Sequence, residues 1–562
     1  TVVVVTVNAT FGGTSGETKW RLGAWSGTSG YPAAVAFYEQ RLFWAGSTEQ
    51  PQTLWGSKSG DYENHTPGTL DDDPVIYTLA TDQVNAVRWL SPGKVMAVGT
   101  VGGEFVISGS TTADPLTPTN VRVVREGTRG SHTHKPVRVD NTVIFIQRQQ
   151  RKLREFTYAF ESDSYQSPDL TILSPQVAKG GISEIAYQQE PNTTIWGVKA
   201  DGQLVGLTYL RDQQVIAWHR HKIGGVSGAC TITVSDYENI AVGTTLKLTK
   251  SDGQTVTFTS EAAGGSAPSD TDFGFRPNES NNTTADNIYT RINAHADFTV
   301  ANPAAAVVTV EETLRRGAAP LTIVSSDTAR LTTTDQAISI VESLSVIPSS
   351  NNGEEELWMI VQRTVNGVTR RYIEFMEATF DTRESSTKKN AFFIDSGLSY
   401  NSTATATISG LDHLEGQTVS ILGDGSVYAG QAVASGGISS LLPTIAQAQI
   451  GLAYESIVKT LRPEAGADDG TAQGKTKKVF DLTARFIQTL GAKVSEDGIN
   501  YDEIQFRTGS NPMDSSPPLF SGDKQIQFRG GWETEGQVYI KQDQPLPIHI
   551  TAILTRLVTN DG

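Results

Sequence analysis

The chain has 562 residues, with 45 Lys plus Arg against 61 Asp plus Glu and a formal net charge of −16. That length excludes one short domain and predicts about three or four, while the charge argues against a dedicated duplex-DNA or anionic-membrane binder. Hydrophobic residues at 38% and charged residues at 19% belong to a packed globular chain and exclude a disordered one.

Taken in order, the chain opens on Thr1 rather than Met, which leaves an upstream segment open, and its first apolar run, residues 2–5, is short enough for a strand. No stretch approaches the ~20 apolar residues of a membrane helix, so a soluble chain is expected. Short β-branched and aromatic runs punctuated by Gly, Asp, Asn and Ser dominate, and helical periodicity is nearly absent. Five strand–turn–strand units stand out at residues 42–55, 95–107, 143–158, 195–209 and 357–375. Three have Gly102-Gly103, Asp201-Gly202 and Asn366-Gly367 at the turn, dipeptides that tolerate positive φ. The first four units recur roughly every 50 residues, the length of one four-stranded propeller blade with its loops. The fifth comes about 110 residues late, so we read a guest module rich in Thr, Ala, Asn and Gly between Val226 and Val341.

Within that module residues 245–259 form two alternating runs around Asp252-Gly253, and a helix is predicted at about 285–296, capped by Thr284 with Ile288 and Ile292 on one face. Residues 307–310 and 321–324 read as strands, and 262–282 as a loop. Residues 398–454 form a further turn-rich β segment, and 464–474 a Gly, Ala and Asp linker. Beyond it, residues 480–486 alternate apolar positions with Asp481, Thr483 and Arg485, and 548–554 alternate around His549, Thr551 and the apolar exception Ile553. Pro517-Pro518, Pro545 and Pro547 confine that region to edge strands and loops. The expectation is a mainly β chain: an irregular five- or six-bladed β-propeller with an inserted small α+β domain and additional C-terminal β domains. The segments are 1–225 and 341–397 for the propeller, 226–340 for the insert, 398–463 for a small β domain and 464–562 for a C-terminal β-sandwich or barrel. An irregular two-sheet sandwich is the competing architecture.

Signatures of enzyme chemistry are sparse. Neither G-x-x-x-x-G-K-[ST], G-x-S-x-G nor H-E-x-x-H occurs, and residues 423–430 read as a β-turn at Asp424-Gly425 rather than a phosphate loop. Cys230 is the single cysteine, which excludes an intrachain disulfide or a cysteine-based metal site and suits a small core residue. His132/His134 and His219/His221 would each project to one strand face, but the flanking Lys135, Arg220 and Lys222 oppose a bound cation. Asp71 to Asp73 and Glu354 to Glu356 lack the spacing of a calcium loop and read as solvated acidic runs. Arg148, Arg151, Lys152 and Arg154 form a basic hairpin tip or an interface patch. Ser495-Glu496-Asp497-Gly498 with Tyr501 resembles the Asp-box turn of sialidase-type propellers, a structural turn. No carboxylate pair is nominated for glycoside hydrolysis. No catalytic, cofactor-binding or metal residue is therefore assigned, no cofactor is expected, and the chain is read as a non-enzyme.

One family resemblance runs along most of the sequence. Arg41-Leu42-Phe43-Trp44-Ala45-Gly46-Ser47, Thr53-Leu54-Trp55-Gly56-Ser57 and Gly60-Asp61-Tyr62 resemble the nozzle, or tail-tubular-B-type, proteins of short-tailed bacteriophages. Further matches follow collinearly at 204–209 with Ala217-Trp218, at Leu411-Asp412-His413-Leu414-Glu415-Gly416 with Asp424-Gly425, and at Gly451-Leu452-Ala453-Tyr454. They span residues 31–455, and the region after Glu464 matches least. The insert resembles a small domain likened to a ubiquitin-activating-enzyme fold, with no ubiquitin chemistry implied. The resemblance implies a virion tail protein: a homohexamer around a DNA channel, built on a propeller. Its implied partners are an adaptor ring below the portal, tail fibres or spikes, double-stranded DNA in sequence-independent transit and the host envelope surface. It also implies a region upstream of the first blade motif. Six copies at −16 each would make few cationic contacts with phosphate and let DNA slide. The alternative is a glycan-binding or glycan-degrading propeller or tail spike, and a plain adhesin or scaffold is a third reading.

Overall fold

A computed structural model describes residues 24–81, 84–112, 114–225, 229–251, 253–261, 274–312, 321–334, 339–349, 354–366, 368–380, 387–464, 471, 474–528 and 531–560. Residues 2–5, Asp252, Gly367, most of the 262–282 loop and most of the 464–474 linker lie outside that set. The protein is mainly β, and the chain divides into two compact units, Thr1–Leu173 and Ser174–Gly562.

Unit one holds three consecutive four-stranded antiparallel meanders. The first runs through Ala34–Tyr38, Arg41–Ala45, Thr53–Gly56 and Val75–Thr78. The second runs through Val87–Ser91, Met96–Thr100, Glu104–Ser108 and Arg122–Arg125, and the third through Val137–Val139, Thr142–Ile146, Leu153–Ala159 and Ser164–Gln166. Each sheet packs its apolar face on the next: Phe43, Leu54, Leu90 and Met96 join the first two, and Trp89, Ala97, Phe145 and Phe156 join the second and third. Up-and-down four-stranded sheets stacked face to face are the repeating unit of a propeller.

Unit two opens with a fourth such meander, Ile182–Gln188, Thr194–Lys199, Leu204–Leu210 and Val215–His221. A three-stranded sheet, Ser339–Pro348, Glu355–Val365 and Val368–Phe375, packs on it through Trp196, Leu204, Val341, Leu357 and Met359. All five sequence-predicted units are thus antiparallel strand pairs, and in the four-stranded sheets they are the two middle strands. The turn chemistry holds at Gly202, with φ 79°, and at Asn366, with φ 49°. It fails at Gly102-Gly103, where neither glycine has a left-handed φ. There the absent Cβ is what matters: one on Gly102 would lie 2.1 Å from Asn85 Oδ1, and one on Gly103 would lie 2.4 Å from the Gly127 carbonyl.

Between the fourth and fifth sheets the chain builds two further four-stranded sheets and one helix around a separate core that includes Cys230, Leu246, Phe258, Ile288, Val308 and Leu331. The helix, Asn281–Asn293, starts earlier than predicted because Ser280, not Thr284, is its cap; Ser280 Oγ accepts from the Thr283 N–H at 3.1 Å. Thr284 is instead buried in the first turn, where its hydroxyl accepts from the Asn278 N–H at 3.0 Å. Ile288 and Ile292 share the buried face as expected.

After Asp395 a four-stranded sheet, Asp395–Thr405, Ile445–Leu452, Thr418–Gly423 and Ser426–Ala432, encloses its own core. The last region has two sheets on one core. One combines Ser456–Lys459, Tyr539–Gln542, Lys493–Ser495 and Asp502–Glu503; the other is Phe520–Gln527, Thr476–Thr489 and Ile550–Asn560, with Thr476–Thr489 central. The alternation expected here is reversed in part. A β-bulge between Val479 and Asp481 turns Phe480 outward, 41% exposed, and buries Asp481. A second, between Arg485 and Phe486, carries Ile553 into the core and leaves Leu554 exposed.

Candidate functional site

The first strand of the Arg41 motif places a guanidinium where alternation demands an inward side chain. Arg41 is buried, and its Nη1 donates to the carbonyls of Ser57 at 2.8 Å, Asp72 at 3.2 Å and Asp73 at 2.6 Å, while Nη2 donates to Asp71 at 2.6 Å. The acidic run Asp71 to Asp73 is therefore a carbonyl collar for a buried cation rather than a free solvated loop. Its carboxylates face outward to Lys58, with Asp72 at 2.9 Å and Asp73 at 3.7 Å. Beside it Trp25 makes edge contacts with Trp44 and Trp55, centroids 5.5 and 5.6 Å away.

His219 of the His219/His221 pair and Glu354 to Glu356, far apart in sequence, border one cleft in unit two. It has a volume of about 370 Å³ and is lined by Trp196, His219, the three glutamates, Phe375 and Glu377 among others. Strand alternation puts both imidazoles on one face, where His219 Nδ1 lies 2.8 Å from His221 Nε2 and both rings pack on Trp196. Burial lowers His219, and burial together with the neighbouring His219 pushes His221 down to about 4, so the pair is neutral at pH 7. Two of the glutamates already serve as acceptors. Glu355 Oε2 takes the N–H groups of Gln189 at 2.5 Å and Glu190 at 3.4 Å, and Glu356 Oε2 takes the Trp358 indole N–H at 3.0 Å. The cleft offers acceptors, two aromatic rings and the imidazole of His219, with His221 behind it. Among the described residues no set of three His, Cys, Asp or Glu side chains converges as a metal site.

A second cluster, unmarked in the sequence, sits where the insert leaves and rejoins the sheets. Arg363, 2% exposed, pairs bidentately with Glu374 at 2.8 and 2.7 Å. Its Nη1 also donates to the Gly224 carbonyl and to Ser339 Oγ at 3.2 Å, and Ser339 Oγ donates to the Gly225 carbonyl at 2.7 Å. Asp395 accepts the Gly224 N–H, and burial raises its carboxyl to about 6 despite that bond and Arg363. The only hint in the sequence is a lone Arg on the apolar face of a strand, Leu357, Met359, Val361, Arg363.

The remaining singled-out residues are architectural. His132 Nδ1 accepts from the His134 N–H at 3.3 Å, and its Nε2 lies 2.8 Å from Gln150 Nε2. The basic tip is divided: Arg148 and Arg151 are exposed, whereas Lys152 pairs with Asp169 at 2.7 Å and Arg154 binds Gln147 Oε1 and the Ser167 carbonyl. Asp424-Gly425 is the expected left-handed turn, with φ 48° and 83°, and Asp424 pairs with Lys389 at 3.2 Å. In the Asp497 turn, Oδ1 accepts the N–H groups of Ile499 and Asn500, both at 2.8 Å, which holds the carboxyl well below its usual range. Cys230 is fully buried and its Sγ donates to the Leu321 carbonyl.

No family model matches the sequence, and no curated protein matches it. Among solved structures, a luciferin-regenerating enzyme aligns at 11% identity and a TM-score of 0.17, over 35% of this chain and 78% of its own. An exo-β-1,3-galactanase from Phanerochaete chrysosporium, solved with β-1,3-galactotriose, aligns at 8% identity and a TM-score of 0.23, over 94% and 96% of the two chains. Likenesses this faint add nothing to what the sheet topology already establishes: a mainly β chain built on propeller-type blades.

Proposed function

We propose that this chain is a structural protein of a short bacteriophage tail, six copies of which form a nozzle around the DNA channel and pass the genome at ejection. The observation that carries the reading is the use made of the residues that bear the resemblance. They are braces rather than reactive groups. Arg41 gathers four carbonyls; Trp44 and Trp55 anchor Trp25. Glu415 accepts the Ser435 and Gly436 N–H groups at 3.0 and 2.7 Å, and the His413 carbonyl accepts from the Tyr372 hydroxyl at 3.2 Å. A run of motif residues spent on holding sheets in register fits a load-carrying wall. The net charge of −16 fits a wall that does not grip phosphate.

Negative-stain microscopy and light scattering of the full chain test this directly: a six-fold ring is expected, and a monomer or trimer rejects it. The glycan reading draws on one observation, the cleft that groups Trp196 and Phe375 with glutamates. Release of reducing sugar from host polysaccharide by a chain that forms no ring would favour it instead.

A further inference from the structure

The floor of the cleft in unit two carries polar groups with nothing to bind. Thr194 and Trp196 point the same way from the strand Thr194–Lys199, and Thr208 and Gly206 lie directly opposite them on the next strand. Thr194 is 6% exposed and lines the cleft, yet among the described residues its hydroxyl makes no hydrogen bond, and the Thr208 hydroxyl beside it makes none either. Folded chains rarely leave a buried hydroxyl so, because the desolvation it has lost is not returned until some other group binds it. His219 completes the floor by lying over Gly206, where a Cβ would come within 2.1 Å of its Cε1.

The rim says what that group is. Glu354, Glu355, Glu356 and Glu377 line it, no Lys or Arg does, and among the described residues none of the four makes an ion pair. Glu355 and Glu356 are held by the bonds given above, whereas the carboxylates of Glu354 and Glu377 make no hydrogen bond to any described residue. Phe375 stands beside them half-exposed, its ring against Trp358 with centroids 5.2 Å apart. The space of about 370 Å³ suits a small ligand. A neutral ligand would leave four negative charges uncompensated, and an anion would add to their repulsion. A cation satisfies them, and a hydrocarbon stem on that cation suits the faces of Trp196 and Phe375. An ammonium directs three donors apart and so reaches both rim carboxylates and floor hydroxyls, which the planar fork of a guanidinium does not.

We propose that this cleft binds an alkylammonium ion, with the nitrogen held between the glutamates and the Thr194 and Thr208 hydroxyls and the methylene stem along Trp196 and Phe375. A free polyamine and a lysine side chain of another chain share that chemistry. The site lies wholly within unit two of one chain, so it stands apart from the ring reading: a hexamer, a trimer and a monomer would each carry it.

Isothermal titration calorimetry of the full chain with spermidine and, separately, with N-α-acetyl-lysine amide tests this, and saturation at a single site per chain is expected. Glu354→Gln with Glu377→Gln removes two charges that brace nothing and should weaken binding about tenfold or more at an unchanged circular dichroism spectrum. Thr194→Val keeps the branched shape without the hydroxyl and should weaken it about threefold or more. Tighter binding of spermidine assigns the site to a free polyamine and tighter binding of the lysine derivative to a side chain of another chain; either supports the inference. No saturable heat with either compound overturns it. So does binding that either variant leaves unchanged, which would be the general attraction of a chain at −16 for cations. Lactose bound in place of both overturns it in favour of the glycan reading. A six-fold ring whose chains bind neither compound overturns it and leaves the ring reading standing.

Discussion

Replacing Arg41 with Met isolates what the carbonyl collar is worth. The guanidinium makes four bonds, each charge-assisted and each worth about 1.5–3 kcal/mol when its partner cannot turn to water. The four are not equivalent. Asp71 and Asp72 are exposed, so water replaces the donor at their carbonyls, whereas Ser57 is fully buried and loses its partner outright at about 1–3 kcal/mol. Met also relieves the desolvation of the buried cation, which offsets part of the loss. The net expectation is a destabilisation of about 2–4 kcal/mol. Arg41→Lys should recover only part of it, since one ammonium cannot span carbonyls reached by two separate guanidinium nitrogens. Urea denaturation followed by tryptophan fluorescence reads the change next to the collar, because Trp25, Trp44 and Trp55 belong to the same sheet region. Asp72→Asn is the control: it removes the exposed Lys58 pair, keeps the carbonyl, and should leave the transition where it was. Parent-like stability for Arg41→Met, or equal stability for the Met and Lys variants, refutes the collar.

Three further outcomes are expected. His221 has its folded value pushed down to about 4 from 6.5, so the unfolded chain binds the proton first; its contribution is full above pH 6.5 and lost as pH falls toward 4, up to about 3 kcal/mol, and His221→Phe should remove that slope from a urea-midpoint series. Asp395 has the opposite sign, because a folded value of about 6 against 3.8 makes the protonated form the stable one. Stability should fall by up to about 3 kcal/mol as pH rises from 4 to 6, and Asp395→Asn should flatten that fall in the same series; an unchanged profile rejects the assignment. Ser280→Ala should cost the insert about 1 kcal/mol by calorimetry, the usual loss for a helix cap; no change would return the cap to another residue.

What the sequence made legible follows from where strands are buried. The middle strands Thr53–Gly56, Met96–Thr100, Glu104–Ser108 and Thr142–Ile146 are buried throughout, so they stand out as unbroken apolar runs. Outer strands such as Arg122–Arg125 and Val215–His221 are largely exposed, have mixed composition and leave no such trace. Turn residues could be read where φ required them, as at Gly202, and misled where the need was space, as at Gly102. Periodicity failed at Phe480 and Leu554 because one inserted residue flips every side chain beyond it, and nothing in composition announces a bulge. The cleft was out of reach for a different reason. His219 and Glu355 come from strands separated by the whole insert, and tertiary contacts unite them: the packing of Trp196 with Leu357 and Met359 and the bonds from Gln188 and Gln189 to Glu355.

The insert stem ties these observations to the proposed role. A guest module joined by two strand ends transmits force only as well as its stem is held. Here both ends are held by groups that answer to other parts of unit two. Gly224 gives its carbonyl to Arg363 on the fifth sheet and its N–H to Asp395 at the start of the small β domain, while Ser339 closes on Gly225. The Gly451-Leu452-Ala453-Tyr454 motif packs against the same point. A Cβ on Gly224 would meet the Ala453 carbonyl at 2.8 Å, one on Gly225 would meet Leu452 Cδ1 at 2.6 Å, and one on Gly451 would meet the Asp395 carbonyl at 2.7 Å. A displacement of the insert must therefore break the hydrogen bonds of Gly224 to Arg363 and Asp395 or pull the 451–454 segment with it. The strength of that joint, about 1.5–3 kcal/mol for a hydrogen bond to a charged donor such as Arg363, sets how firmly the module is keyed to the sheets.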